Sequence, residues 1–207
     1  MGIFAATLIL GSATFAMAGV PDLQLSLATG PADACVLYNL PNADGGSFDE
    51  AIAVVGFAVT DATVGLTLID GLTNPIPNYP FEDLHLESSD GGLVACAGGT
   101  TADADTDAAG YTQWQAPLAA GGATSSVADL TVVMVNGAAL TSSGGEAIAH
   151  NSADITADGK VDLSDVIEFA GDFYSGGYVF RSDFAFDGIL NLSDIIVLAQ
   201  GMGAECP

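Results

Sequence analysis

The feature that most constrains this chain is an internal repeat close to its C-terminal end. Residues 154–165 and residues 183–194 are two copies of one acidic pattern, related by an offset of 29 positions. The offset superimposes Asp158 on Asp187, each followed by glycine, and both copies end in the motif Leu-Ser-Asp. Agreement at this many positions indicates two copies of one supersecondary unit, which pack against each other.

Each copy places oxygen donors at loop positions one, five, nine and twelve, with glycine at position six and a backbone carbonyl at position seven. Ca²⁺ takes about six to eight oxygen ligands, and alternating donors in a tightly turned loop converge on one point. In the first copy we assign Asp154, Thr156, Asp158, the carbonyl of Lys160, Asp162 and Asp165. In the second we assign Asp183, Asp187, the carbonyl of Ile189, Asn191 and Asp194. The sequence therefore predicts two calcium sites.

The two predicted sites differ at position three. The first copy has Thr156 there, whose hydroxyl can bind a cation, whereas the second has Ala185, which offers no side-chain ligand. We therefore expect the second site to be weaker, or to be completed by water.

The paired loops resemble the dockerin module of type I, which has two EF-hand-like loops, each followed by a helix. The resemblance covers residues 151–204 and includes aspartate instead of glutamate at position twelve and an apolar residue at position eight, Val161 and Leu190. It implies a cohesin-like protein partner, met by positions ten and eleven of each loop. Those positions are Leu163, Ser164, Leu192 and Ser193. A second interpretation stays open, in which these leucines are core residues and the serines are helix caps.

Helical patterns follow both loops, over residues 164–173 and residues 193–201. Neither helix can bury its apolar face alone, so we expect the two to pack against each other. The connector between them contributes the aromatic residues Tyr174, Tyr178 and Phe180 to this expected core.

The preceding residues 20–152 have turn signals every eight to twelve positions, which is typical of a β-sandwich. Alternation predicts that Val64, Leu66 and Leu68 share a buried face, and that Leu84 and Leu86 point inward between the outward-facing His85 and Glu87. The predicted strands are residues 23–27, 35–40, 52–59, 62–69, 83–87, 92–97, 111–116, 130–135 and 146–150.

Residues 63–70, 74–77 and 106–114 resemble the bacterial immunoglobulin-like modules of the invasin and intimin type. The shared features are an Asp-x-x-x-x-Pro turn after a strand and a Thr-Asp-x-x-Gly turn before another. The resemblance implies a mainly β fold, with an immunoglobulin-like β-sandwich followed by a small helical dockerin-type domain. The predicted organisation is a signal peptide at 1–18, the sandwich at 19–150 and the calcium-binding domain at 151–207.

Residues 3–18 form an apolar run that ends in Ala-Met-Ala, the pattern of a signal-peptidase site. We expect a secreted or cell-surface protein cut after Ala18, although no basic residue precedes the run. A retained hydrophobic helix, as in pilin-like subunits, is the alternative. No other run of about 18 apolar residues occurs, so the mature chain is predicted to lack a membrane span.

The chain carries 26 acidic residues against two basic ones, Lys160 and Arg181, and has a formal charge of −24. Nucleic acid is not expected as a partner, because phosphate binding requires a basic surface. Divalent cations would relieve the self-repulsion. Cys35, Cys96 and Cys206 allow three possible disulfides, and the sequence does not choose among them.

The other acidic, histidine and tryptophan residues that could form a functional site are predicted to have structural roles. The run Asp103, Asp105 and Asp107 is predicted to be a solvated turn instead of a third cation loop. His85 and His150 are expected on a strand surface and in a linker, and Trp114 in the core instead of on a sugar ring.

These features predict a non-catalytic, exported bacterial protein that binds calcium and docks to a protein partner, either a cohesin-like module or copies of itself. One alternative is a component of a polysaccharide-degrading complex in which the sandwich binds carbohydrate. Another is a subunit that assembles into extracellular filaments.

Overall fold

The computed structural model of the protein describes residues 19–128 and 130–207, so the predicted signal peptide lies outside the described residues. The described chain is mainly β, as predicted, and ends in two α-helices. The strands are β1 (Leu27–Thr29), β2 (Cys35–Asn39), β3 (Ala51–Ala53), β4 (Val59–Thr60), β5 (Val64–Thr67), β6 (Leu84–Ser88), β7 (Val94–Ala95), β8 (Tyr111–Trp114), β9 (Ala120–Gly121), β10 (Thr131–Val135), β11 (Ala138–Ala139) and β12 (Ile148–Ser152). The helices are α1 (Leu163–Tyr174) and α2 (Leu192–Gly201), and short 3-10 helices occupy Phe48–Glu50, Phe81–Asp83 and Phe180–Ser182.

The strands form several small sheets. β5 lies between β1 and β8, and β10 lies between β6 and β11, in antiparallel order. β7 and β9 form a two-stranded ribbon. The fourth sheet has the order β12-β2-β3-β4 and is mixed, because β12 runs parallel to β2 with Ile148 opposite Cys35. This pairing places the chain that enters the first repeat copy beside β2.

The predicted buried faces of β5 and β6 are confirmed. Val64, Leu66 and Leu68 are all fully buried, and so is Trp114, which lies opposite Val64 in the register of β5 and β8. Leu84 and Leu86 are likewise buried on β6. Full burial stabilises the fold by about 2 kcal/mol for each aliphatic side chain of this size.

Several strands are shorter than predicted, and in two of the predicted segments a turn replaces part of the strand. Over residues 23–27, the carboxylate of Asp22 accepts the N–H groups of Gln24 and Leu25, so the chain turns and β1 begins only at Leu27. Over residues 52–59, Gly56 and Phe57 adopt positive φ angles of 88° and 52°, and the turn divides the segment into β3 and β4.

The aspartate turns behind the immunoglobulin-like resemblance are present. Asp70 accepts the N–H groups of Leu72 and Asn74, both at 2.8 Å, and Asp107 accepts those of Ala109 and Tyr111. Asp103 and Asp105 accept the backbone N–H groups of Gln115 and Phe81, which are distant in sequence, so these two carboxylates connect separate segments instead of capping a local turn. The turns are local features, so the immunoglobulin-like sandwich itself stays a prediction.

The helical pair (residues 151–207) shares its core with the β unit (residues 19–150). Phe169 of α1 stacks on Phe184 with ring centroids 5.9 Å apart, and Leu198 of α2 belongs to the same cluster. The cluster also includes Leu40, which follows β2, and Tyr38 packs against it. The predicted boundary between residues 150 and 151 lies inside β12.

The predicted composition of the helical core needs correction. Tyr174 is 85% exposed and Tyr178 is 54% exposed, and Phe180 is buried in a separate cluster with Val36, Ala149 and Phe186. The core of the helical pair instead includes Leu40 of the β unit, and Tyr38 packs against it. The β unit and the helical pair therefore meet through apolar side chains on both sides.

Candidate calcium loops

Loop 1 (residues 154–165) and loop 2 (residues 183–194) are built on the same hydrogen bonds. In each, the carboxylate at position one accepts the backbone N–H groups of positions five and six. The distances are 3.1 and 3.0 Å for Asp154 in loop 1, and 3.2 and 3.0 Å for Asp183 in loop 2. Both aspartates are buried, so these N–H groups replace water as their partners.

The carboxylate at position twelve closes each loop. Asp165 and Asp194 are fully buried, and each accepts the N–H groups of positions three and nine at 3.0 and 2.8 Å. Position nine is the helix N-cap, where Asp162 or Asn191 accepts the N–H of position eleven at 2.7 Å. The loop and the first turn of its helix are thus one hydrogen-bonded unit.

The backbone follows the same path through both turns. Position six is Gly159 or Gly188, with φ angles of 86° and 82°, which glycine adopts at little cost. Position four has positive φ as well, 57° at Ala157 and 51° at Phe186, which is uncommon for residues with a side chain. An uncommon conformation repeated at the same position indicates that the repeat encodes the loop conformation.

The loops differ at position three, where the sequence predicted a difference. The hydroxyl of Thr156 lies 3.0 Å from a carboxylate oxygen of Asp165 and 3.5 Å from one of Asp154. Ala185 occupies the same backbone position in loop 2, because its N–H binds Asp194 as that of Thr156 binds Asp165. It brings no oxygen to that position.

Burial disfavours the ionised form of both position-one carboxylates when no cation is bound. Desolvation raises the pKa of Asp154 to about 6 and also raises the pKa of Asp183. Tyr178, which sequence reasoning placed in the helical core, instead donates its hydroxyl to Asp183 at 3.0 Å. A divalent cation would favour the ionised form of these carboxylates.

The candidate donors of both loops are oxygen atoms, the type of ligand that a hard cation prefers. Within residues 19–128 and 130–207, however, no group of three or more His, Cys, Asp or Glu side chains is arranged so that it could hold a metal ion. The carboxylates at positions one and twelve turn towards backbone N–H groups instead. A calcium site would also draw on the Thr156 hydroxyl, the Asn191 amide and the position-seven carbonyls, which are oxygen donors of the preferred type. Calcium binding stays a prediction.

Positions ten and eleven lie at the surface. Leu163 and Leu192 are 68% and 67% exposed, so their interpretation as core residues is wrong. Ser164 and Ser193 are not the helix caps, since Asp162 and Asn191 hold that position.

Two more features of loop 1 depend on residues that are distant in sequence. A Cβ atom on Gly121 of β9 would collide with the carboxylate of Asp154, so β9 lies directly against the position-one carboxylate. The disulfide joins Cys96 to Cys206, beside the turn of loop 1, and leaves Cys35 buried as a free thiol. No sequence signal identified either neighbour, because spacing along the chain does not report contacts between separate elements.

His150 also departs from its predicted linker role. It is fully buried in β12, where its ring nitrogens contact the Asn39 amide at 3.0 Å and the Thr131 hydroxyl at 2.7 Å. Desolvation lowers its pKa to about 4, so the ring is neutral at ordinary pH.

No protein-family model, curated protein or solved structure matches the chain. The described part also contains no helix long and apolar enough to cross a membrane. The loops and the surface of the helices that follow them are therefore the features of the molecule that bear on its function.

Proposed function

We propose that the chain is a non-catalytic, secreted or cell-surface protein that binds calcium and docks to a protein partner through a dockerin-type helical pair. The observation that carries the proposal is the equivalence of loops 1 and 2. The same backbone N–H groups are bonded by the same loop positions in both copies, over distances that agree within 0.1 Å at positions one and twelve.

The helix surfaces support docking. Leu163 and Ile167 of α1 are 68% and 63% exposed, and their equivalents Leu192 and Ile196 of α2 are 67% and 51% exposed. Large aliphatic side chains that remain exposed at equivalent positions mark an interaction surface more often than scattered single residues do. Each helix begins at the last residues of its loop, so a cation in the loop would fix the orientation of this surface. The partner we propose is a cohesin-like module.

The finer fold is part of the proposal. The aspartate-capped turns at Asp70 and Asp107 support an immunoglobulin-like β unit. The carbohydrate-binding alternative has less support, because Trp114 is fully buried and donates its indole N–H to the Thr100 carbonyl at 3.0 Å. Its ring is thus not a platform for a sugar.

Calorimetric calcium titration of the mature chain tests the first half of the proposal. We expect two sites in the wild-type protein, loss of one site in Asp158→Ala and loss of the other in Asp187→Ala. Asp33→Ala is the matched control, since Asp33 is exposed and distant in sequence from both loops. An absence of calcium binding, or two sites that survive both loop variants, would show the proposal to be wrong.

Docking is tested by binding of the calcium-loaded protein to immobilised cohesin domains. We expect the double variant Leu163→Asp, Leu192→Asp to lose binding while it still takes up calcium. Sedimentation analysis with and without calcium distinguishes the second possible partner, a copy of the chain itself. Calcium-dependent dimers that the double variant abolishes would replace the cohesin-like partner with self-assembly.

A further inference from the structure

The C-terminal tail (residues 203–206) runs alongside the turn of loop 1. Gly203 donates its N–H to the Val161 carbonyl at 2.9 Å, and Val161 donates in return to the Ala204 carbonyl at 2.8 Å. Cys206 then donates to the Gly159 carbonyl at 2.9 Å. These bonds lie on either side of Lys160, whose carbonyl is the expected ligand at position seven. The tail therefore fixes the backbone that would present this ligand.

The disulfide connects this tail to the other side of loop 1. Cys206 packs its sulfur against the turn, where a Cβ on Gly159 would lie 3.0 Å from it. Its partner Cys96 follows β7, and β7 pairs with β9, the strand that lies against Asp154. Gly122, which follows β9, donates its N–H to the Asp154 carbonyl at 2.8 Å. Loop 1 is thus held between the tail and β9, and the disulfide joins these two supports covalently.

Loop 2 has no equivalent support. Within the described chain, the backbone of residues 188–190 forms no hydrogen bond with another segment, and the offset places Gly177 where Cys206 would be. Position eight shows the consequence, since Val161 is buried but Leu190 is only partly buried. The repeat therefore contains one clamped loop and one open loop with the same internal bonds.

From this asymmetry we propose that the Cys96–Cys206 disulfide sets the calcium affinity of loop 1, so that its reduction weakens calcium binding there and leaves loop 2 unchanged. The inference rests on the proposed calcium binding and adds redox control to one of the two sites. Without the disulfide, the backbone is the only covalent connection between the tail and β9. The bound cation must then order loop 1, which reduces the net free energy of calcium binding.

The reductant required is a dithiol. Its thiolate attacks the sulfur of Cys206, which is partly exposed, while Cys96 is buried. The S–S bond breaks, Cys96 leaves as a thiolate and takes up a proton, and the second sulfur of the dithiol then displaces Cys206 to form a cyclic disulfide. Two electrons pass from the dithiol to the protein. Cys35 does not compete for the bridge, because it is buried and desolvation raises its pKa to about 11.

Single-site backgrounds of the mature chain make the test specific. Asp187→Ala leaves loop 1 as the calcium site, and Asp158→Ala leaves loop 2. Calorimetric calcium titration of each protein is repeated after reduction with dithiothreitol and in the double variant Cys96→Ser, Cys206→Ser. We expect the loop 1 background to lose about tenfold or more in affinity, within the range of site-to-site coupling, and the loop 2 background to change less than about twofold.

Linkage gives a second measurement, because coupling between sites is reciprocal. Calcium should shift the dithiol equilibrium of Cys96–Cys206 towards the oxidised form by the same factor, in the wild type and in Asp187→Ala but not in Asp158→Ala. Equal affinity before and after reduction in the loop 1 background, or equal losses in both backgrounds, would overturn the inference alone. An oxidised wild-type protein that binds no calcium would overturn the proposed function as well.

Discussion

Loop 1 and loop 2 present the same internal hydrogen bonds in two different surroundings. Loop 1 lies between β9 and the C-terminal tail, and a disulfide connects the two. Loop 2 has the Tyr178 hydroxyl on Asp183, and Phe57 from the β3–β4 turn lies beside Gly188. The internal hydrogen bonds of each loop therefore come from the repeat itself, whereas the contacts around each loop come from elements outside the repeat and differ between the two copies.

The two loops also differ in charge. Loop 1 brings four carboxylates and a threonine hydroxyl to its expected site, whereas loop 2 brings three carboxylates and the Asn191 amide. More anionic oxygen donors strengthen a calcium loop, and so does rigidity. Both differences favour loop 1 as the tighter site.

The largest expected effect comes from removal of the closing aspartates. Asp165→Ala leaves the part-buried N–H groups of Thr156 and Asp162 without their carboxylate acceptor, which should cost about 4 kcal/mol in the free energy of unfolding. Asp194→Ala should cost only about 2 kcal/mol, since loop 2 lacks the contacts with β9 and the tail and can rearrange to bring its N–H groups to water. Urea unfolding without calcium measures both. Equal costs would mean that the clamp on loop 1 has no energetic consequence.

The junction beside loop 1 should also be sensitive to acid. The pKa of His150 is about 4 in the folded protein against an ordinary value of 6.5, so between these values the unfolded chain binds more protons. The contribution of His150 to stability should therefore fall as the pH drops from about 6.5 to 4, by up to about 3 kcal/mol, and then level off. The raised pKa values of Asp154 and Asp183 act in the opposite direction as the pH drops, so the His150 contribution must be measured by urea unfolding as a difference between two proteins.

His150→Gln isolates this contribution, because glutamine keeps polar groups for Asn39 and Thr131 but does not titrate. Asp90, whose charge opposes the lowered pKa of His150, is present in both proteins, as are Asp154 and Asp183, so their contributions cancel in the difference. Wild type and variant should diverge in slope only between pH 4 and 6.5. Parallel curves would show that His150 is protonated as readily in the folded as in the unfolded chain.

A smaller effect is expected where β9 lies against loop 1. Gly121→Ala introduces a methyl group into the space of the Asp154 carboxylate, which should cost about 2 kcal/mol and weaken calcium binding at loop 1. Gly144→Ala is the matched control, because nothing lies within 4 Å of its added Cβ. Thermal unfolding and calcium titration of the two variants should separate them. If they behave alike, β9 does not support loop 1.

The sequence predicted those parts of the molecule that short-range patterns determine. Alternation correctly identified the buried faces of β5 and β6, and the repeat located both turns and both helices. The repeat assigned Asp165 and Asp194 to the loops as calcium ligands, and both bond to backbone N–H groups within nine positions of themselves. Hydrogen bonds between residues that are close in sequence depend on short spacings, which a sequence motif can show.

The surroundings of the loops could not be predicted, because they depend on contacts between distant segments. Cys96 and Cys206 are separated by 110 residues, and nothing in their spacing favoured that pair. Gly121 has no signature as a neighbour of Asp154, and Tyr38 could not be assigned to the helical core before β12 was known to pair with β2. The same limit explains why the exposure of Leu163 and Leu192 remained open.

A substitution that makes loop 2 more like loop 1 should give a gain in calcium affinity, smaller in free energy than the losses above. Ala185→Asp places a carboxylate at position three of loop 2. At the same position in loop 1, the hydroxyl of Thr156 lies between the carboxylates of Asp154 and Asp165. With Asp158→Ala as background, the calcium affinity of loop 2 should rise about tenfold, equivalent to about 1.4 kcal/mol. Ala185→Thr, which copies loop 1, should give a smaller gain because a hydroxyl is neutral. Calorimetric titration measures both. If neither variant improves binding, the missing ligand is not what limits loop 2, and the open surroundings of the loop become the remaining cause of its weakness.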